Sequence, residues 1–179
     1  MKTIPYRLNG RTYHLCMNGA ALFDIYQKFG TDGNITDPIE GTDKAAFQAT
    51  CWMLYKLSEQ GELVRRYEGH DRQPYLLEGQ LRAMLSPTDV ITARGAIKEA
   101  VAEGFHMEVE RTEPEEIDLG LLEIAQAEGK GALTKAQYLQ AATQLLNLSV
   151  KEGLLMTLGE MLDLLELEKQ RRQPKEREE

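Results

Sequence analysis

Apolar residues along this chain fall into blocks whose period changes from two to about 3.6 and then lapses. Residues 3–17 alternate. Ile4, Tyr6 and Leu8, then Tyr13, Leu15 and Met17, are separated by polar or small neighbours. Asn9-Gly10 stands between the two runs. A two-residue hairpin turn needs positive φ at both positions, which Asn and Gly tolerate best, so the segment predicts a β-hairpin. Pro5 cannot donate to a ladder, which places the first strand at an edge. A lone hairpin is marginal, so it has to pack on helices or pair with further strands.

The helical period is strongest over Asp43–Gln60, which holds the one tryptophan, Trp52. Phe47, Cys51, Leu54 and Ser58 follow at spacings of four and three, and Ala46, Ala49, Met53 and Leu57 form an adjoining face. Trp52 and Tyr55 widen the apolar surface. A helix apolar over most of its circumference is a central one. Thr42 or Asp43 caps its start, and Gly61 is expected to end it. Before it, Asn18 caps a helix over Gly19–Phe29 with Leu22, Ile25, Tyr26 and Phe29 on its stripe, and Gly30 stops it. Residues 31–41 are rich in turn formers, and 61–75 carries no clear period and reads as either a short strand or an extension of the helix. A short helix follows near Leu76–Leu85. Ser86-Pro87-Thr88-Asp89 then opens a helix expected to end at Gly104, with a cap, a first-turn proline and an acid at the third position.

Beyond residue 104 the pattern changes. Residues 108–128 carry eight acidic residues against Arg111 alone, and Pro114 interrupts the run. Residues 105–133 thus read as an acidic linker, with a short helix over 117–127 around Leu119, Leu122 and Ile124. Three Ser/Thr-x-x-Glu/Gln capping boxes follow, at Thr134…Gln137, Ser149…Glu152 and Thr157…Glu160, each ahead of an apolar helical stretch. Residues 134–172 are expected to form a small helical module, and 173–179 a disordered tail. The fold class is therefore mainly α with a small β component: an N-terminal hairpin packed on a helical body over 1–104, and the C-terminal module. At about 40 residues the module is too small to fold robustly alone, so it docks on 1–104, on another copy or on a partner. Leu158, Met161, Leu162 and Leu165 form its last apolar stripe, read either as local core or as a partner contact.

Charge narrows the choice of partners. Residues 1–104 hold 12 Lys/Arg and 13 Asp/Glu, whereas residues 105–179 hold 9 and 16, so the net −8 lies almost wholly in the second part. Polyanions are poor partners for such a chain, and nucleic acid is not expected. No apolar run reaches the ~18 residues of a membrane span and no signal-like core follows Lys2, which points to a cytosolic protein. Cys16 and Cys51 lie in apolar patterns and read as buried free thiols. His14 and Cys16, two apart on a strand, are the one close pair of soft-metal ligands, and a metal site needs more. Gly129-Lys130-Gly131 lacks the spaced first glycine of a phosphate loop, and the acidic run lacks the pattern of a calcium loop. No nucleophile, base and orienting group can be assembled, so neither catalytic, cofactor nor metal residues are expected, and the chain does not read as an enzyme.

Two stretches carry a resemblance. One is the opening, Ile4-Pro5-Tyr6-Arg7-Leu8-Asn9-Gly10-Arg11-Thr12-Tyr13-His14-Leu15, leading through Asn18–Phe29 to a Trp-bearing helix. The other is Leu145-Leu146-Asn147-Leu148-Ser149-Val150-Lys151-Glu152 running into Met156-Thr157-Leu158-Gly159-Glu160-Met161-Leu162-Asp163-Leu164. Together they resemble the tail assembly chaperones of long-tailed phages and prophages. Residues 61–75 and 105–131 lie outside the likeness. The resemblance implies a binding protein of the host bacterial cytoplasm, absent from the mature virion. Several copies would coat the tape-measure protein, and a C-terminal extension would recruit the major tail-tube protein. On that reading Leu158, Met161, Leu162 and Leu165 contact tube subunits or another copy. The rival reading is a permanent structural tail or connector component.

Overall fold

A computed structural model describes residues 2–110 and 133–172. It is mainly helical, with a single two-stranded antiparallel sheet among those residues. Strands β1 (Ile4–Leu8) and β2 (Arg11–Leu15) pair with Ile4 opposite Leu15 and Leu8 opposite Arg11. Asn9 (φ 49°) and Gly10 (φ 76°) make the turn in the left-handed region, as their sequence requires. Tyr6, Leu8 and Leu15 are buried, and β2 lies along helix α2 (Lys44–Tyr67). The hairpin therefore packs on helices, and it pairs with no further strand among the described residues. The Cys16 N–H donates to the Leu57 carbonyl at 3.0 Å, joining the end of β2 to the middle of α2.

Helix α2 organises the core. The Asp43 side chain caps it by accepting from the Ala46 N–H at 2.8 Å. Cys51, Met53, Leu54 and Leu57 are fully enclosed, while Phe47, Trp52 and Tyr55 are partly buried against the same core. Both cysteines are free and buried, and burial pushes the Cys16 thiol up to about 12. Gly61 does not end the helix: of the two readings of 61–75 the helix extension holds, as far as Tyr67. A methyl group on Gly61 would stand 1.9 Å from the His14 carbonyl oxygen, so this glycine lets strand and helix backbones meet. The stop comes later, at Gly69 (φ 88°), with Arg65 and Arg66 in the last turn where the helix dipole favours cations.

The longer helix explains residues 61–75. The Glu62 carboxylate, almost fully buried, accepts from Arg65 Nη1 (3.2 Å), Arg66 Nε (2.9 Å) and the Gln73 N–H (2.7 Å). The Leu76 N–H donates to Ser58 Oγ at 3.1 Å. Two side chains of α2 thus hold the returning chain, and Leu76 is buried. Burial by itself would raise the Glu62 pKa; the hydrogen bonds from Arg66 and Gln73 and the charge of Arg66 outweigh it and hold the carboxyl below its ordinary value. A depressed carboxylate stabilises the fold above its unfolded pKa, and that contribution is lost as pH falls through the lower folded value. Glu62→Gln is therefore expected to be less stable than the parent at pH 7, with the difference shrinking below about pH 4.3, the ordinary glutamate value. Urea midpoints across that range check this, and a difference independent of pH would contradict it.

Helix α1 (Gly19–Phe29) is capped by Asn18, whose Oδ1 accepts from the Ala21 N–H at 3.0 Å. It buries Ala21, Leu22, Phe23 and Ile25; Phe23 was not on the stripe read from spacing. The turn Asp37–Ile39 inserts Ile39 into the core. Short α3 (Glu78–Met84) places Leu81 there, and α4 (Pro87–Phe105), with the Ser86/Asp89 capping box, adds Ala93, Ile97, Ala100 and Val101. Past α4 the chain is tied down. The Glu108 and Val109 N–H groups both donate to the Asp163 carboxylate, at 3.0 Å to the nearer oxygen in each case. Lys2 pairs with Glu103 (3.1 Å) and Glu108 (2.7 Å). The short helix expected over 117–127 and the tail at 173–179 lie outside the described residues.

Residues 134–172 pack into the same core as the N-terminal part. Helices α5 (Lys135–Gln140), α6 (Val150–Leu155) and α7 (Leu158–Arg172) each begin with the anticipated reciprocal cap; at the third, Thr157 and Glu160 exchange bonds of 3.0 and 3.1 Å. The helical stretch opened by Thr134 widens into a π turn over Ala141–Leu145, and Asn147 (φ 56°) turns the chain out. Tyr138 is wholly buried. Its ring meets Phe23 edge-on at 5.3 Å, and its hydroxyl donates to the carbonyls of Gly153 (2.9 Å) and Met156 (3.1 Å). The Gly19 N–H donates to the Met156 carbonyl at 2.8 Å. At Gly159 a methyl group would stand 2.0 Å from the His106 carbonyl oxygen, so α7 crosses the end of α4 at backbone contact. No helix among the described residues is long and apolar enough to cross a membrane.

Candidate partner-binding groove

The apolar stripe of α7 does not form an exposed face. Met161 is 1% exposed inside the shared core, and Leu158 and Leu165 pack against that core. Leu162 is partly buried. The assignment of these four residues to a partner is thus corrected for Met161, which is enclosed, and weakened for the other three. Helix α7 crosses α4 so closely at Gly159 that its stripe faces inward.

Exposed apolar surface lies elsewhere. Leu63 (40% exposed) and Tyr67 (44%) project from the last turns of α2, and Val150 (51%) from the first turn of α6. With Leu154 and the buried Leu155 they line a groove of about 690 Å³ between α2, α1 and α6. Two features position it. Gly61 allows α2 to continue past the hairpin, which brings Leu63 and Tyr67 onto one face at a spacing of four. The caps of α6, Ser149 and Glu152, turn that short helix against α1, where Met156 takes up the Gly19 N–H.

Polar groups hold the walls together. The Asn18 amide donates to Gln60 Oε1 at 3.1 Å at the base of the groove. The Tyr67 hydroxyl donates to Glu152 Oε1 at 3.0 Å, and Lys151 Nζ lies 5.7 Å from the Tyr67 ring centroid, so ring and ammonium attract. Bonds from the Ser149 side chain and N–H, and from Tyr67, hold the Glu152 carboxyl below its usual range; the same Glu152 raises the Tyr67 phenol. Tyr67 therefore remains a neutral donor near pH 7. Arg66 borders this groove and also a second, shallower one of about 410 Å³ lined by Arg72, Tyr75 and Leu77.

The lining offers apolar contact and cationic edges, and this suits the binding of a protein segment. Elsewhere, burial followed by the Arg65 charge lowers the pKa of His14, whose Nδ1 lies 3.4 Å from the Thr3 hydroxyl. Cys16 is packed with Val64 and Leu155. Comparison of the chain with family models, with curated proteins and with solved structures finds no match. Sequence periodicity does not single out Leu63 and Tyr67 because Gly61 interrupts the apolar stripe ahead of them. Their i, i+4 spacing, continued from Gln60, is the signal that would have found them.

Proposed function

We propose that the chain is a tail assembly chaperone of a long-tailed phage or prophage, which coats the tape-measure protein in the host cytoplasm and recruits tail-tube subunits. The observation that carries this reading is the exposed apolar groove of Leu63, Tyr67 and Val150, in which Val150 and Lys151 belong to the second stretch that resembles such chaperones. A half-exposed apolar groove on each copy gives modest, reversible contacts. Several copies along a long client then hold it by avidity and can be displaced as a tube polymerises.

Co-expression with a tape-measure protein tests this. The expected result is a soluble client carrying several copies. Leu63→Asp with Val150→Asp should keep the parent's circular dichroism, because both side chains are exposed, and return the client to the insoluble fraction. A client that stays insoluble with the parent chain counts against the reading. So does recovery of the chain in purified particles, the result expected of a permanent tail or connector component.

A further inference from the structure

The two neighbouring grooves share Arg66, and the cations along them are Arg66, Arg72 and Lys151, with no carboxylate among the described residues that line them. In a chain of net charge −8, the charged side chains described along these grooves are cationic only. Arg66 is already paired with Glu62, and the Glu152 carboxylate beside Lys151 accepts from Ser149 and Tyr67, so Arg72 and Lys151 are the cations that face an occupant. Apolar positions at Leu63, Tyr67 and Val150 lie between the cations, and both Arg72 and Lys151 are exposed. An occupant that matches this surface has an apolar stripe with negative charge along its margins.

We infer that the groove takes an amphipathic helix of another protein whose apolar face is flanked by Glu and Asp side chains. This rests on the chaperone reading only in that it names the chemistry of the client segment; the groove's charge and shape are independent of it. The apolar stripe seats on Leu63, Tyr67 and Val150, and the flanking carboxylates meet Lys151 on one side and Arg72 on the other. A basic or uncharged amphipathic helix would meet the same apolar floor without those pairings. The groove thus discriminates by charge as well as by shape.

The probes are two synthetic helical peptides of about 15 residues, a length that sustains helix when apolar contacts add to it. Both carry leucines at i, i+3, i+4 and i+7; one has flanking glutamates and the other lysines. Fluorescence anisotropy with the full chain is expected to show the acidic peptide binding roughly tenfold tighter, with the margin narrowing as salt rises from about 0.05 to 0.5 M. Lys151→Glu with Arg72→Glu should reverse the preference while keeping the parent's circular dichroism, and Val150→Asp should weaken both peptides. Equal binding of the two peptides, or a preference unmoved by the charge reversals, overturns the inference. A shift from oligomer to monomer on Leu63→Asp in sedimentation would assign the groove to a second copy and also overturn it. A coated tape-measure client with no acidic-peptide binding defeats this inference alone. Acidic-peptide binding with an insoluble client defeats the chaperone reading alone.

Discussion

Gly61→Ala is expected to destabilise the protein by about 3 kcal/mol or more, the upper range for forcing atoms into a packed site. The sign is what makes the test informative. In the interior of an exposed helix the same change would stabilise by about 1 kcal/mol, because alanine is the better helix former. Here the new methyl would lie 1.9 Å from the His14 carbonyl oxygen and 2.5 Å from its carbon, backbone atoms that no rotamer can move aside. Either β2 lifts from α2 or the helix bends. Lifting breaks the bond from the Cys16 N–H to the Leu57 carbonyl and uncovers Leu15. Urea unfolding followed by circular dichroism measures the change. A variant as stable as the parent, or more so, would show that strand and helix do not approach this closely.

Tyr138→Ala is expected to cost about 3–5 kcal/mol, the range for truncating a buried aromatic side chain. Against a total stability of about 5–15 kcal/mol this is a large share. The residue joins three parts of the molecule. Its ring packs on Phe23 of α1 and over Gly19, where a methyl would stand 2.8 Å from it, and its hydroxyl satisfies carbonyls in and after α6. Tyr138→Phe removes only the hydroxyl and leaves the Gly153 carbonyl without that donor, while the Met156 carbonyl keeps the Gly19 N–H, a loss of about 1–3 kcal/mol. Hydrogen exchange should show faster exchange over 149–157 in Tyr138→Ala than in the parent. Because α6 forms one wall of the groove, partner binding should fall with it. Unchanged protection over 149–157 would mean that α6 is held by other contacts.

Much of the secondary structure was legible because its signals are local. The Asn9-Gly10 turn, the Asn18 and Asp43 caps, the Ser86/Asp89 box and the three later boxes involve residues no more than a few positions apart. Their free energies depend little on what surrounds them. The central place of the Trp52 helix was also legible, since an apolar circumference admits only a buried helix. The errors share one cause. Gly61 was judged by the local rule that glycine ends helices, when a strand backbone on the far side of the contact required it. The π turn at Ala141–Leu145 has no such local mark, and it lies beside Gly153, where a methyl would stand 2.8 Å from the Ala142 Cβ.

The candidate site was less legible still. Periodicity shows that Leu158, Met161, Leu162 and Leu165 share a stripe, but a stripe is equally apolar whether it faces a core or a partner. Its direction was settled by Gly159 against His106 and by Asp163 holding the Glu108 and Val109 N–H groups, contacts between residues more than 50 positions apart. The groove depends likewise on where α6 comes to rest on α1 and α2. By itself, then, the sequence determined the hairpin, the helix starts, the buried thiols and the mainly helical class, all products of short-range preference and periodic burial. Only the tertiary structure decided that residues 134–172 share the N-terminal core and which apolar side chains remain exposed, because those outcomes depend on backbone approaches that no local pattern encodes.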